Sequence, residues 1–135
     1  MCDIFKQKDI IAKLKGKSFL FLGDSIMRNL YKDLVWLTTS PYENFIPTRW
    51  MARKGEKHMG NIREEVLTHG GPDMYEPGRL YQEERDFYLK DHDLQFSFAF
   101  ITRCWSDRLG HWLQDYPNHY GSYPDVIMIN SVSIS

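Results

Sequence analysis

Residues 19–34 read FLFLGDSIMRNLYKDL, and this stretch decides the fold. With Ser18, its first four residues form an apolar segment between Gly16 and Gly23, a pattern typical of a strand buried on both faces of a parallel sheet. After Asp24 the apolar residues recur every three to four positions, which predicts a helix directly after the turn. The face predicted to be buried holds Ile26, Leu30, Leu34 and Leu37. The face predicted to meet solvent holds Arg28, Asn29, Lys32 and Asp33.

The rest of the chain predicts further helices and strands around this unit. A short helix over residues 7–15 precedes it, and Gly16 ends that helix. Residues 38–93 form a polar stretch punctuated by proline and glycine, which we interpret as an insertion. Residues 81–100 predict a hairpin whose second strand turns Leu94, Phe96, Phe98 and Phe100 to one side. The other predicted elements are a strand over Glu64–Thr68, a helix begun by Ser106 or Asp107 and ended by Pro117, and a buried-type strand over Asp125–Ile129.

This succession of strands and helices indicates an α/β fold. In such folds ligands collect at the carboxyl ends of the strands. The turn at Gly23, Asp24 and Ser25 should therefore share one mouth with Thr102–Arg103 and Asn130–Ser131.

Length, charge and cysteine content narrow the classes of protein. The chain has 135 residues, which is room for one domain. With 17 basic and 18 acidic residues the net charge is −1, so nucleic acid is not expected as a partner. No run approaches the roughly 20 apolar residues of a membrane span, and the N-terminus lacks the apolar segment of a secretory signal. Two cysteines without a paired motif fit a reducing compartment, so a cytoplasmic location is expected.

Ser25 is the candidate catalytic residue. A serine in the first turn of a helix that follows a buried strand lies among free backbone N–H groups, at the positive end of the helix dipole. Gly23 would permit the sharp exit from the strand, and Asp24 would hold the turn by hydrogen bonds. Two other interpretations stay open, since Asp24 or Ser25 can simply cap the helix and a helix start can bind an anion.

Acidic and histidine side chains recur at a spacing of four near the end of the chain. We expect Pro117 to break that helix before the last of them, which leaves too few ligands for a metal on one face. Neither a metal nor a cofactor is expected. The residues of this series are Asp107, His111, Asp115 and His119.

The chain resembles the SGNH (GDSL-like) hydrolases, and more closely their PC-esterase branch. The resemblance is carried by residues 21–25 (FLGDS), 31–34 (YKDL), 100–103 (FITR) and 124–131 (PDVIMINS). It implies a three-layer, flavodoxin-like parallel sheet and acyl-ester hydrolysis, in which Ser25 attacks the ester and Asn130 supports the oxyanion.

Three departures from the family pattern shape the prediction. Arg103 stands near the place where many members supply a glycine N–H, and it is a candidate cation in the cleft. No histidine of the chain has an aspartate three residues before it, so the Asp-x-x-His block that supplies the base is absent from these residues. The sheet is expected to be partial, without its last strands, so that residues 125–130 form an apolar edge.

From these departures we expect one incomplete SGNH/PC-esterase-like domain over residues 1–135, inactive or weak as an esterase. The alternative is a non-catalytic interaction module or dominant-negative fragment. Such a module would pair with another chain, or form an oligomer, through the exposed edge at residues 125–130.

Overall fold

The computed structural model describes residues 7–39, 65–71, 76–78, 81–101 and 107–130. Within these residues the sheet has the order β2-β3-β4-β1-β5. β1 runs parallel to both of its neighbours, β4 and β5, whereas β3 runs antiparallel to β2 and β4. The elements are α1 (Gln7–Leu14), β1 (Ser18–Gly23), α2 (Ser25–Thr39), β2 (Val66–Gly70), β3 (Glu83–Leu89), β4 (Leu94–Phe100), α3 (Asp107–Tyr120) and β5 (Val126–Ile129).

The predicted α/β class is confirmed, and the sheet is mixed, consistent with a partial flavodoxin-like fold. The antiparallel pair β2 and β3 comes from the segment interpreted as an insertion, and it continues the same sheet as β1. The predicted strand at Glu64–Thr68 is present two residues further along, as β2. A single turn of 3-10 helix at Lys90–His92 joins β3 to β4 where the sequence predicts the hairpin turn.

Alternation along β1 divides the core into two layers. Phe21 packs with Met27, Tyr31 and Val35 of α2 on one face of the sheet. Leu20 and Leu22 point to the other face, where they pack against α3. The residues of the α3 layer are Leu20, Leu22, Ala99, Ile101, Leu109 and Tyr116. The phenylalanines of β4 lie together in the α2 layer, as the hairpin pattern predicts.

The predicted orientation of α2 is wrong. Its buried residues are Met27, Arg28, Tyr31, Lys32, Val35 and Thr38. Ile26, which the periodicity places in the core, is 66% exposed, and Leu30 is also exposed. Arg28 and Lys32 can be buried because glutamates from distant parts of the chain pair with them. The spacing of apolar residues cannot reveal partners that lie so far along the chain.

Two further expectations change at the end of the chain. Pro117 does not end α3, which continues to Tyr120 with the proline inside it. β5 is at the edge of the sheet rather than buried on both faces, and its four apolar residues are between 37% and 59% exposed. Asp125 holds the start of this strand, since its carboxylate accepts a hydrogen bond from Ser18 N at 2.8 Å. Among the described strands, β1 alone pairs with this apolar strand, whose outer edge is therefore free of strand partners in that part of the chain.

Candidate active site

The turn between β1 and α2 is built around the Asp24 side chain. Its Oδ1 atom accepts hydrogen bonds from the backbone N–H groups of Ile26, at 2.9 Å, and Met27, at 3.4 Å. These are the second and third residues of the helix, so Asp24 is the N-cap. Ser25 is the first helical residue, and its side chain is exposed. Asp24 therefore caps the helix, and the Ser25 hydroxyl remains available for another role.

Asn130 lies against the same turn. Its Oδ1 accepts a hydrogen bond from the Asp24 backbone N–H at 3.3 Å, and its Nδ2 donates to Asp24 Oδ1 at 3.3 Å. The Asn130 backbone N–H donates to Leu22 O at 3.0 Å, which extends the pairing of β5 with β1. The parallel register of β1 and β5 therefore brings a residue 106 positions away into contact with the residue before Ser25.

Gly23 is required for close approach rather than for an unusual backbone angle. It is not among the described glycines with positive φ, in contrast to what a sharp turn suggests. A Cβ atom at this position would lie 1.9 Å from Asn130 Oδ1 and 2.6 Å from Met27 Cβ. Any side chain would push Asn130 or α2 away from the turn. The backbone of Gly23 is also fixed, because its carbonyl accepts a hydrogen bond from Ile101 N at 2.8 Å.

A buried ionic network lies beneath α2, one turn beyond Ser25. Arg28 Nη1 is 2.9 Å from Glu83 Oε1, and Arg85 Nε is 2.5 Å from Glu83 Oε2. Arg85 Nη1 also reaches Glu65 Oε1 at 2.7 Å, and Lys32 Nζ reaches the same atom at 2.9 Å. Among the described residues, three cations of this network thus pair with two carboxylates in the interior. The pattern of the sequence did not reveal this network, because its members come from α2, β3 and the residue before β2.

Burial and ion pairing shift the pKa values of Lys32 and Glu83 in opposite directions. Burial lowers the pKa of Lys32 to about 8, although Glu65 favours the charged form. Burial alone would raise the pKa of Glu83, but hydrogen bonds from Tyr81 and Arg85 and the charges of the guanidinium groups lower it. Tyr81 donates to Glu83 Oε1 at 2.6 Å, and burial together with this bond raises the pKa of the phenol. The network fixes α2 to β3 and so fixes the helix that begins at Ser25.

Described histidines lie away from the Ser25 turn. His92 is in the turn that precedes β4, at the opposite end of the sheet from Ser25. His119 is 3.9 Å from Asp86 on the α3 side of the sheet, and His111 is also on α3. His69 is on β2, three strands from β1, or roughly 14 Å at the usual strand spacing. In the described part of the chain, no imidazole hydrogen-bonds with Ser25.

Other residues predicted near the mouth cannot be placed. Arg103, with Thr102, Cys104 and Ser131, lies outside the described residues. In the described ranges, no group of three or more histidine, cysteine, aspartate or glutamate side chains could hold a metal. The helices described there are all too short or too polar to span a membrane.

A parallel strand, a Gly-Asp-Ser turn and a helix, with an asparagine from the neighbouring strand against the turn, are features of SGNH-like α/β proteins. Comparison with known proteins agrees. The chain is 30% identical to human PC-esterase domain-containing protein 1A over 127 residues. It is 30% identical to human PC-esterase domain-containing protein 1B over 129 residues, and 34% identical to the mouse 1B protein over 121. Over nearly its whole length the chain is therefore similar to the PC-esterase (SGNH-like) family.

The similarity covers most of this chain but a minor part of each relative. The alignment to the human 1A protein takes in 94% of the chain and 27% of the relative, and the corresponding shares for human 1B are 95% and 28%. The chain thus spans about a quarter of the length of the relatives it matches. No profile of a known protein family matches the chain. No solved structure matches it either.

Proposed function

We propose that the β1–α2 turn carries the nucleophile of an SGNH-type acyl-ester hydrolase, with the Ser25 hydroxyl as the attacking group. The observation that carries this proposal is that Asp24 and Ser25 have different roles in the turn. Asp24 caps the helix by accepting hydrogen bonds from the Ile26 and Met27 N–H groups, so the exposed Ser25 hydroxyl at the first helical position is not needed for capping. The relatives named PC-esterase domain-containing proteins support the same class of activity.

In this mechanism Ser25 Oγ forms a bond to the acyl carbon, and the carbonyl electron pair moves to the oxygen. Collapse of this intermediate breaks the ester bond, and the leaving alkoxide takes up the proton that the Ser25 hydroxyl has lost and departs as the alcohol. Water then hydrolyses the acyl-serine to the acid and free Ser25. We propose two donors for the oxyanion. One is the backbone N–H of Ser25, at the first helical position. The other is the second hydrogen of Asn130 Nδ2, whose first hydrogen is donated to Asp24. Each donor contributes roughly 3 kcal/mol to the transition state.

The missing component is a base. Ser25 is a weak nucleophile until an imidazole accepts its proton, and the Asp-x-x-His block is absent from these 135 residues. We therefore propose that this chain alone hydrolyses esters weakly or not at all. Arg103, if it borders the cleft, would add positive charge but could not accept the proton.

Labelling with a fluorophosphonate probe tests the nucleophile. Wild-type chain should be labelled slowly, the Ser25→Ala variant should not be labelled, and Asn130→Ala should label more slowly than wild type. The matched control is Ser122→Ala, which removes an exposed serine in the turn before β5 and should label like wild type. Equal labelling of wild type and Ser25→Ala would contradict the proposal. Adding imidazole should accelerate labelling if the base alone is missing.

A second function, non-catalytic pairing, is favoured by the open edge of β5. Val126, Ile127, Met128 and Ile129 are all exposed, and no charged residue interrupts them. The occupant we propose is a strand from a longer PC-esterase domain-containing protein, since such relatives extend far beyond the region matched here. A chain that pairs without hydrolysing would act as a dominant-negative fragment.

Introducing a lysine at each edge of the sheet in turn distinguishes specific pairing through β5 from non-specific hydrophobic association. Ile127→Lys should abolish co-sedimentation with a longer relative. The control is Val66→Lys, on the opposite edge strand, where the native valine is 53% exposed. Equal loss in both variants, or self-association of this chain in place of binding to the relative, would overturn the proposed occupant.

A further inference from the structure

A cavity of about 290 Å³ lies on the side of the sheet opposite α2. Its position follows from the alternation of β3, where Glu83 and Arg85 point toward α2 and Glu84 and Asp86 point the other way. α3 forms the facing wall. The volume is near the lower limit of roughly 300–1,000 Å³ for small-molecule sites, so the ligand has to be small. The cavity is separate from the Ser25 turn, and nothing in the proposed hydrolysis uses it.

Aromatic rings line one wall of this cavity. Trp112, Tyr116 and Tyr120 recur at intervals of four residues and so lie on one stripe of α3. The rings of Trp112 and Tyr116 meet nearly at right angles, at 75°, with centroids 5.5 Å apart, and those of Tyr116 and Tyr120 are 4.2 Å apart and tilted by 40°. The three rings thus present aromatic surface in different orientations, an arrangement that suits the binding of a cation.

Carboxylates line the opposite wall and the rim, from Glu84, Asp86 and Asp115. Among the described lining residues only His119 can become positive. It is 68% exposed and lies 3.9 Å from Asp86 Oδ2, so it is a weak counter-charge. Tyr120 donates a hydrogen bond to Asp86 Oδ1, which holds that carboxylate in the cavity. Burial raises the pKa of Asp86, and hydrogen bonds from Tyr120 and Ser97 together with the charge of His119 act in the opposite direction.

Tyr116 contributes its ring to this cavity and is almost fully buried. Burial raises the pKa of its phenol, and hydrogen bonding with Ser97 and Ser18 on the sheet acts in the opposite direction. The same described part of the chain holds no cluster suited to a metal ion. Aromatic faces and carboxylates together select organic cations.

From these contacts we infer that the cavity between α3 and β3 is a binding site for a small quaternary or methylated ammonium group. The positive charge would lie over the Trp112 and Tyr120 rings, with Asp86 and Asp115 as counter-charges. Methyl groups on the cation match an aromatic wall better than a strongly hydrated ion such as sodium does. The site is independent of ester hydrolysis and holds if Ser25 proves inert.

Titration of the whole chain with tetramethylammonium chloride tests this inference. Binding is followed by saturation-transfer NMR of the methyl protons, at constant ionic strength set with sodium chloride. tert-Butanol is the control ligand, since it is similar in size and neutral. Tetramethylammonium should bind saturably, at least roughly tenfold more tightly than tert-butanol. Equal binding of the two would overturn the inference, as would a lack of saturable binding.

Variants then locate the site. Asp115→Asn, which changes only the charge of an exposed side chain, should weaken binding roughly fivefold. Trp112→Leu should weaken it further, since it removes an aromatic face but keeps an apolar side chain. Asp91→Asn, at an exposed site in the turn after β3, is the matched control and should bind like wild type. A loss of affinity in Asp91→Asn equal to that in Asp115→Asn would overturn the inference. A loss in Ser25→Ala would overturn it too, because it would place the cation at the esterase turn.

Discussion

Replacing Lys32 by methionine should remove a rise in stability that the wild-type chain shows between pH 7.5 and 9.5. Lys32 is a fully buried residue of α2, and its Nζ atom lies 2.9 Å and 3.1 Å from the two oxygens of Glu65. Pairing with Glu65 only partly offsets the burial of the Lys32 ammonium, since its pKa is lowered despite that contact. Methionine fills a similar volume without the charge.

The direction of the effect follows from the pKa of Lys32. Burial lowers this pKa from 10.5 to about 8 in the folded chain. Between these two values the unfolded chain holds a proton that the folded chain has released, so the free energy of unfolding rises with pH. A shift of this size corresponds to about 3 kcal/mol over the full range, of which about 2 kcal/mol falls between pH 7.5 and 9.5. The window stops at pH 9.5 because burial raises the pKa of Tyr31 well above 10.0, and unfolding then exposes a tyrosine that ionises more readily.

Urea unfolding followed by circular dichroism at half-unit steps of pH measures the effect. Wild type should gain about 2 kcal/mol across the window, and Lys32→Met should stay level. At pH 7.5 the variant should be within about 1.5 kcal/mol of wild type, because the loss of two hydrogen bonds is offset by the loss of a buried charge. Lys90→Met, at an exposed lysine, should keep the wild-type slope. A flat or falling wild-type curve, or the same slope in Lys32→Met, would refute the reasoning.

Three further perturbations are expected to act on the same helix and turn. Glu83 has a lowered pKa, so its stabilisation is present above the unfolded value of 4.5 and lost as the pH falls through the lower folded value. In acid titrations of unfolding, Glu83→Gln should therefore lose less stability than wild type, and an unchanged acid limb would contradict this. Gly23→Ala should cost about 2 kcal/mol in urea unfolding, because its Cβ meets Asn130 Oδ1 at 1.9 Å. The cost should fall by at least about 0.5 kcal/mol in an Asn130→Ala background, and strict additivity would exclude the clash as its cause. Asp24→Ala should cost about 1 kcal/mol through loss of the helix cap, and a neutral result would mean that another group caps α2.

The central strands of this fold could be predicted from local sequence because they carry short apolar runs. Ser18–Gly23 and Leu94–Phe100 follow that pattern closely, whereas β3 begins with four charged residues and is predicted through the hairpin turn that follows it. The α/β class and the order of strand, turn and helix follow from the change of period after Gly23. The sequence also suggests that Asn130 shares a mouth with Gly23, since both follow parallel strands.

The face that α2 buries could not be predicted, for a physical reason. Helical periodicity ranks Ile26, Leu30, Leu34 and Leu37 above Arg28 and Lys32 for burial, because an isolated charge is costly in the interior. Glu65 and Glu83 remove that cost, and both lie more than 30 residues along the chain from their partners. The prediction that Pro117 ends α3 was wrong for a related reason. A proline inside a helix costs a backbone hydrogen bond, but the burial of Tyr116 on the same helix offsets that local cost.

One side of α2 packs against the buried ionic network, and the other side is exposed. One flank is fixed to β3 by Arg28 and, through Glu65, by Lys32. The other flank carries the exposed side chains of Ile26 and Leu30, away from that network. Asn130 is positioned by β5, a strand of four residues that pairs only with β1 in the described part of the sheet.

The candidate oxyanion donor therefore follows an exposed edge strand, whereas the candidate nucleophile is on a helix that buried ion pairs hold to the sheet. Whatever covers the β5 edge stabilises the contact between Asn130 and Asp24 at the same time. We expect the rate of Ser25 labelling to rise when a partner strand binds β5, which would make pairing and catalysis two consequences of one surface.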